Sequence, residues 1–425
     1  MMTLVHAFLV AIAIIFTRQC SARISMTTVR EPNGVSAVLL ADDFGMAAGG
    51  LVKFDVDIRP RRQVGGGGSR VYIVVVGEDT KQWYQTLIDD VNLQKDDPPP
   101  LCVVPSIGRF EVTESGSFNV SIALHDKYSA FLLMCSENAG LDGDVTSTFI
   151  NLDPEGQLTQ HLPIEMAMNP AVFTLMAVVY AGLVATWIGE MIRLKPHVLP
   201  VHFLCLLCIV MKMIAAILVA AYYNRQQSAE GKGQDELRVA AIVFTSLFQV
   251  VFLLTLLLFS LGWGFIRHSL RSKEGWLVTI TMGFYAGISL LEAGCSSNQT
   301  AWCRGVVFVE YTVRCLIMLS TVVAINCNIT NIRFCIQLPW TSSSALEYLK
   351  LSRYLSFRMT FLAYLLLPTA LIVLKITILS WEYEWVYSAM EEFVTMLVLA
   401  HLGTTFAPLD PWLLTRAFDH SLEQS

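Results

Sequence analysis

Phe259-Ser260-Leu261-Gly262-Trp263-Gly264-Phe265-Ile266-Arg267-His268-Ser269-Leu270-Arg271-Ser272-Lys273-Glu274 is where a long apolar run stops and the chain turns basic. From Val239 to Phe265 only small or uncharged polar residues interrupt the run, which exceeds the roughly 20 residues needed to cross a bilayer. The stretch predicts a transmembrane helix over 239–265. Trp263 and Phe265 would sit in the headgroup layer, with Arg267, Arg271 and Lys273 as the positive cytoplasmic flank.

Six more apolar segments recur along the second half, at about 171–192, 201–222, 276–293, 306–325, 357–379 and 385–406. With 54% hydrophobic and 15% charged residues over 425 positions, and a mean hydropathy of +0.54, the chain is too apolar to be soluble. It reads as a seven-transmembrane helical domain over 170–406 with a short cytosolic tail over 407–425. The net charge of −6 and the lack of any large Lys/Arg-rich patch exclude a nucleic-acid partner.

Working outward to the N-terminus, residues 1–22 have an apolar core from Ala7 to Phe16 followed by the small residues Cys20-Ser21-Ala22. This is the pattern of a cleaved signal peptide, with an uncleaved anchor as the competing reading because the n-region lacks Lys and Arg. Residues 23–169 then enter the secretory lumen. Lys53 to Arg59 alternates, with Val52, Phe54, Val56 and Ile58 on one face. Val71–Val76, Phe118–Leu124 and Ala130–Cys135 are further short apolar or alternating runs, and together they predict a luminal β-sandwich. Trp83, Leu87, Ile88 and Val91 suggest one small helix, and Gly65–Ser69 a flexible loop. Cys102 and Cys135 are the two cysteines of this domain and are expected to pair in an oxidising lumen. Asn119-Val120-Ser121 is a glycosylation acceptor.

Counting Lys and Arg tests the orientation. Loops placed inside hold nine, among them Arg193, Lys195, Arg333, Lys350 and Arg353, whereas those placed outside hold four, Arg225, Lys232, Arg238 and Arg304. The N-terminus is therefore expected in the lumen and the C-terminus in the cytosol. The luminal loop between the fourth and fifth spans contains Cys295, Cys303 and a second acceptor, Asn298-Gln299-Thr300; Asn328-Ile329-Thr330 falls on the cytosolic side and should stay unmodified.

Ionisable residues within spans cost roughly 2.5–3.5 kcal/mol each at a helix centre unless partnered or hydrated. Lys212, Glu292, Glu310, Arg314, Lys375, Glu391 and Glu392 fall in the luminal half or near the middle, and could line one polar cavity open to the lumen. Glu310 and Arg314, four residues apart, could equally form an internal ion pair. His401 reads as a satisfied core residue. No catalytic motif, metal-ligand spacing or cofactor signature is present, and no enzyme activity is expected.

Several stretches resemble one family, the GOST or lung seven-transmembrane receptor-like proteins, with Wntless as a more distant relative. They are Phe44-Gly45 before Gly49-Gly50-Leu51, the third-helix end Leu261–His268 with Ser272-Lys273-Glu274, the positions of Lys212, Glu292, Glu310 and Lys375, and the run Phe406–Leu413. The resemblance implies a luminal Golgi-dynamics-type domain before the bundle, a Golgi or endomembrane location with the plasma membrane as the alternative, and a role in trafficking or cargo handling. Membrane lipid and a luminal protein cargo or ligand are the implied partners. A G-protein-coupled receptor is the second reading, although Phe265-Ile266-Arg267-His268 stands where an acidic-Arg-Tyr sequence would be expected. A channel or transporter using the charged cavity is the third.

Overall fold

The computed structural model describes residues 24–31, 36–60, 71–78, 80–81, 106–112, 115–134, 141–152, 159–195, 198–228, 235–267, 269–295, 301–337 and 344–407. The expected signal peptide, the Gly65–Ser69 loop, the helix around Trp83–Val91, Cys102, Cys135, Asn298 and nearly all of the tail lie outside the described residues.

Among the described residues of the first 160, nine strands form two antiparallel sheets. Strands β1 (Ile24–Glu31), β8 (Leu141–Leu152), β3 (Leu51–Pro60) and β6 (Gly116–Ser121) are neighbours in that order, and β9 (Thr159–Gln160) adds to β8. The second sheet runs β2 (Ser36–Met46), β7 (Asp126–Met134), β4 (Val71–Gly77) and β5 (Gly108–Glu111). The period-two pattern of β3 explains the core: Val52, Phe54 and Val56 are buried with Val145 and Phe149 of the neighbouring strand β8 and pack with Ile73, Val75, Ala130 and Leu132 of the facing sheet. The expected alternation through 118–124 holds as far as Ile122, buried one residue past the end of β6 at Ser121, and fails at Leu124, which stands 70% exposed. Strand β2 is irregular, with register shifts on both sides of Ala41 and Asp43 at φ 47°. The irregularity leaves Asp43 exposed, where its carboxylate takes the Lys81 ammonium.

Asn151 fixes the exit from the sandwich. Its Nδ2 donates to the carbonyls of Gly45 (3.1 Å) and Leu162 (3.0 Å), and its Oδ1 accepts from the Ala47 amide (3.0 Å). The chain then passes through a 3-10 turn, Ile164–Met166, into seven helices: α1 (Asn169–Arg193), α2 (Pro200–Ser228), α3 (Asp235–Ser260), α4 (Ser272–Cys295), α5 (Ala301–Gln337), α6 (Ser344–Thr377) and α7 (Glu384–Thr405). Each packs on the next, α3 also packs on α5, and α7 returns to α1 to close the bundle. Six are long and apolar enough to cross a membrane by length and composition. The seventh, α7, is diluted by Glu384, Glu391, Glu392 and His401.

Helix α3 stops at Ser260, five residues before the apolar run does. Gly262 at φ 82° ends it in a Schellman motif, with the Trp263 amide donating to the Leu258 carbonyl and the Gly262 amide to that of Phe259. Trp263 and Phe265 consequently turn inward and pack against the bundle core instead of lying out in the headgroup layer. Side chains of other helices complete the cap: Asn328 Nδ2 on α5 donates to Ser260 O at 2.6 Å, and Tyr354 Oη on α6 gives Phe259 O a second donor at 3.0 Å. Asn328 is buried and its amide is occupied, so its acceptor sequence is blocked by packing alone.

Sandwich and bundle touch at Gly45. A Cβ there would meet Trp381 at 2.7 Å and collide with the Glu165 carboxylate. Gly45→Val is expected to destabilise this junction by about 1–3 kcal/mol, read as faster amide exchange over 381–383 with unchanged protection in α1 and α2. Unchanged exchange at the junction would show that the domains do not rely on this close approach.

Candidate functional site

The seven charged residues expected inside the bundle lie on five helices, and the structure bonds five of them to partners on other elements. Lys212, on α2, meets Glu392, on α7, with Nζ to Oε1 at 2.6 Å and both side chains about 10% exposed. Tyr180, on α1, completes the group: its hydroxyl lies 3.1 Å from Glu392 Oε2 and 3.2 Å from the Glu392 carbonyl. The Lys212 ammonium also sits 5.1 Å from the centre of the Phe248 ring on α3. The Lys212 ammonium therefore faces one carboxylate and one ring face, the phenol bonds the carboxylate, and the four residues come from four helices.

A second group lies across the bundle. Tyr285 of α4 donates to Glu310 Oε1 of α5 at 2.7 Å, and Arg314 of α5 donates to the Tyr364 hydroxyl of α6 at 3.4 Å. Glu310 thus takes a tyrosine from the next helix; no ion pair between Glu310 and Arg314 is found among the described residues. Phe248 and Phe252 of α3 are stacked at 5.5 Å between the two groups, and Phe252 meets Tyr364 edge-on at 5.1 Å.

The outlying charges sit nearer the sandwich. Lys375 of α6 pairs with Glu384 at the start of α7 (2.5 Å) and lies over Tyr387 at 5.1 Å. Glu292 is within electrostatic range of Glu310 and Arg314, and Glu391 within range of Lys212, Arg314 and Lys375. All seven expected residues accordingly belong to one electrostatic neighbourhood, but Lys212, Glu310, Glu392 and Lys375 spend their charge on each other or on tyrosines. The partners Tyr180, Tyr285, Tyr364 and Glu384 were not expected; the three tyrosines, placed within apolar spans, were the available signal. His401 also differs from expectation, lying at the bundle surface with Nε2 2.9 Å from Ser356 Oγ. Among the described residues no group of three His, Cys, Asp or Glu side chains could hold a metal ion.

The far end of the bundle is closed by a different device. Phe406 stacks on Phe259 at 4.0 Å and meets Phe265, Phe357 and Tyr354 edge-on at 5.3, 5.3 and 6.3 Å. Its carbonyl lies 2.9 Å from His202 Nε2, while His202 Nδ1 accepts from the Leu199 amide at 2.7 Å, which makes this a neutral histidine with its proton on Nε2. Arg353 donates to the next carbonyl, Ala407, at 3.2 Å. Just above lies a small apolar pocket walled by Cys205, Cys208, Phe252, Thr255, Leu402 and Gly403.

At the sandwich end, Cys295 of α4 and Cys303 of α5 form a disulfide. Asn119 lies exposed on β6, opposite Lys53 of β3.

A strand-rich domain leading into a helical bundle with its charges paired inside defines a polytopic integral membrane protein. Residues 168–410 match the family model described as GOST, seven transmembrane domain, which spans more than half of the chain. The chain belongs to the GOST family. It is also similar to a protein from Arabidopsis thaliana described as candidate G-protein coupled receptor 6, at 22% identity over 291 residues. That alignment covers 67% of this chain and 66% of the relative, just under two thirds of the relative's length.

Proposed function

We propose that this protein is a Golgi or endomembrane component in trafficking or cargo handling, with its sandwich in the lumen as the partner-binding domain and its C-terminus in the cytosol. The observation that carries the reading is the physical coupling of sandwich to bundle: His125 of the sandwich lies 3.0 Å from Glu382 and stacks on Trp381, both in the turn that opens α7. Glu392, two helical turns further along α7, holds Lys212. A partner on the sandwich therefore has a short path to the polar interior. The Cys295–Cys303 disulfide supports an oxidising compartment on the sandwich side. Direct pairing of Lys212 with Glu392 favours this reading over a conducting path, in which those charges would face water. The polar neighbourhood, with Glu391 and Lys375 at its open edge, would suit the head group of a membrane lipid.

Removing the protein from cells is expected to slow transport of a definable set of luminal proteins from the Golgi, restored by re-expression of the full chain. The printed name of the Arabidopsis relative favours a second reading, a receptor acting through a G protein. Unchanged secretion, together with purified protein that accelerates nucleotide exchange on a G protein, would replace the first reading with the second.

A further inference from the structure

We propose that the sandwich carries its own membrane contact, in which Leu124 and Ile107 dip into the interfacial layer of the bilayer beside the bundle. Among the described residues the sandwich exposes three large apolar side chains, Leu39, Ile107 and Leu124, and two of the three lie at the end that faces the helices. Leu124 occupies the turn between β6 and β7, and the adjacent His125 touches both Glu382 and Trp381. That contact sets the height of the turn, because Trp381 and Glu382 lie between the end of α6 at Thr377 and the start of α7 at Glu384, at the mouth of the membrane spans. The turn is held at that height: the Tyr128 hydroxyl donates to the Leu124 carbonyl at 2.8 Å, and Tyr128 is itself buried in the sandwich core.

Ile107 reaches the same end from the bend that leads into β5. Its amide bonds Val75 O, and its Cδ1 lies 3.7 Å from where a Cβ on Gly77 would stand, a position also 2.9 Å from Asp126 Oδ2. Asp126 is two residues from Leu124. The composition of the surrounding rim fits a lipid occupant: Tyr383 and Met168, at the entrances to α7 and α1, are each 52% exposed, and Lys127 lies 5.7 Å over Trp381. Aromatic rings with a nearby cation are the side chains that settle at the headgroup level, so the patch continues the belt of the bundle itself. Exposed apolar residues scattered singly need no explanation; two projecting from separate loops at the height of the helix mouths do. The sandwich would then ride on the bilayer, its orientation set by lipid as well as by the Trp381 contact.

The test uses the full-length protein in lipid nanodiscs, with an environment-sensitive fluorescent amino acid at position 124, at 107, or at 39 as a control on the same domain. Replacing ordinary phosphatidylcholine by lipid brominated on its acyl chains is expected to quench emission at 124 and 107 at least two-fold and to leave 39 unchanged. Water-like, unquenched emission at all three positions would overturn the proposal. So would a probe at 124 that shifts only when the protein-to-disc ratio is raised, which would assign the patch to a second copy of the chain. Because both side chains are exposed, Leu124→Asp and Ile107→Asp should fold with an unchanged Tm in detergent, yet exchange the amides of 381–383 faster in nanodiscs; an effect of equal size in detergent would also count against a lipid contact.

Discussion

Lys212→Met should be among the most damaging single substitutions in the bundle, and Lys212→Met with Glu392→Leu should recover most of the loss. Removing the ammonium leaves a buried carboxylate with only the Tyr180 hydroxyl and no cation, and breaking a buried pair in this way costs about 3–5 kcal/mol. Replacing both partners by apolar side chains removes the uncompensated charge as well, so the double variant is expected within about 1–2 kcal/mol of the parent. Tyr180→Phe, which deletes one hydrogen bond, should cost only about 1 kcal/mol. Thermal unfolding of the four proteins in one detergent gives the comparison. A double variant no more stable than Lys212→Met would mean that charge neutralisation is not what the pair supplies. Retained cargo transport in a stable double variant would further separate structural pairing from function, since the proposed function uses the same two residues.

The second large effect is at Phe406. Truncating this residue removes the ring on which those of Phe259, Phe265, Phe357 and Tyr354 converge, a loss expected to cost about 3–5 kcal/mol. Its backbone carbonyl also holds His202, so the ends of α2, α3, α6 and α7 loosen together. The thiols of Cys205 and Cys208, buried in the pocket just above, report on this. Mass spectrometry should find both alkylated by a membrane-permeant maleimide in Phe406→Ala and neither in the parent, with Phe406→Leu between. Unlabelled thiols in a Phe406→Ala protein that has lost stability would show that the far end stays shut without the ring cluster.

The helices were readable in the sequence because a span must satisfy its backbone internally, which demands long apolar runs whatever they pack against. Their ends were less so. The apolar run from Val239 continues past Ser260, and only the left-handed backbone at Gly262 shows where hydrogen bonding changes. The sandwich was legible where one face is wet, as in β3, and obscure in β8, where Asp142, Gly143, Asp144 and Ser147 resemble turn composition although Val145 and Phe149 reach the core. For the polar site, residue type disclosed the charged members but not their pairing. The four-residue spacing of Glu310 and Arg314 suggested a pair, whereas the partners that bond them are Tyr285 and Tyr364 on neighbouring helices. Pairing of this kind depends on which helices adjoin, and that is written in the packing of all seven, not in any one of them.

The bonds that cap α3 also measure the bundle. Asn328 is level with Ser260, yet α5 runs nine residues further, to Gln337; Tyr354 is level with Phe259, yet α6 begins ten residues earlier, at Ser344. At 1.5 Å per residue the two helices overshoot α3 by ~13–15 Å. They form a two-helix extension past the end of α3 on the side away from the sandwich, tied back to the bundle core through Ile332 and Ile336. A compact binding module spliced between Gln337 and Ser344 would thus be held rigidly outside the detergent belt, giving electron microscopy of this small, otherwise featureless bundle a handle for particle alignment.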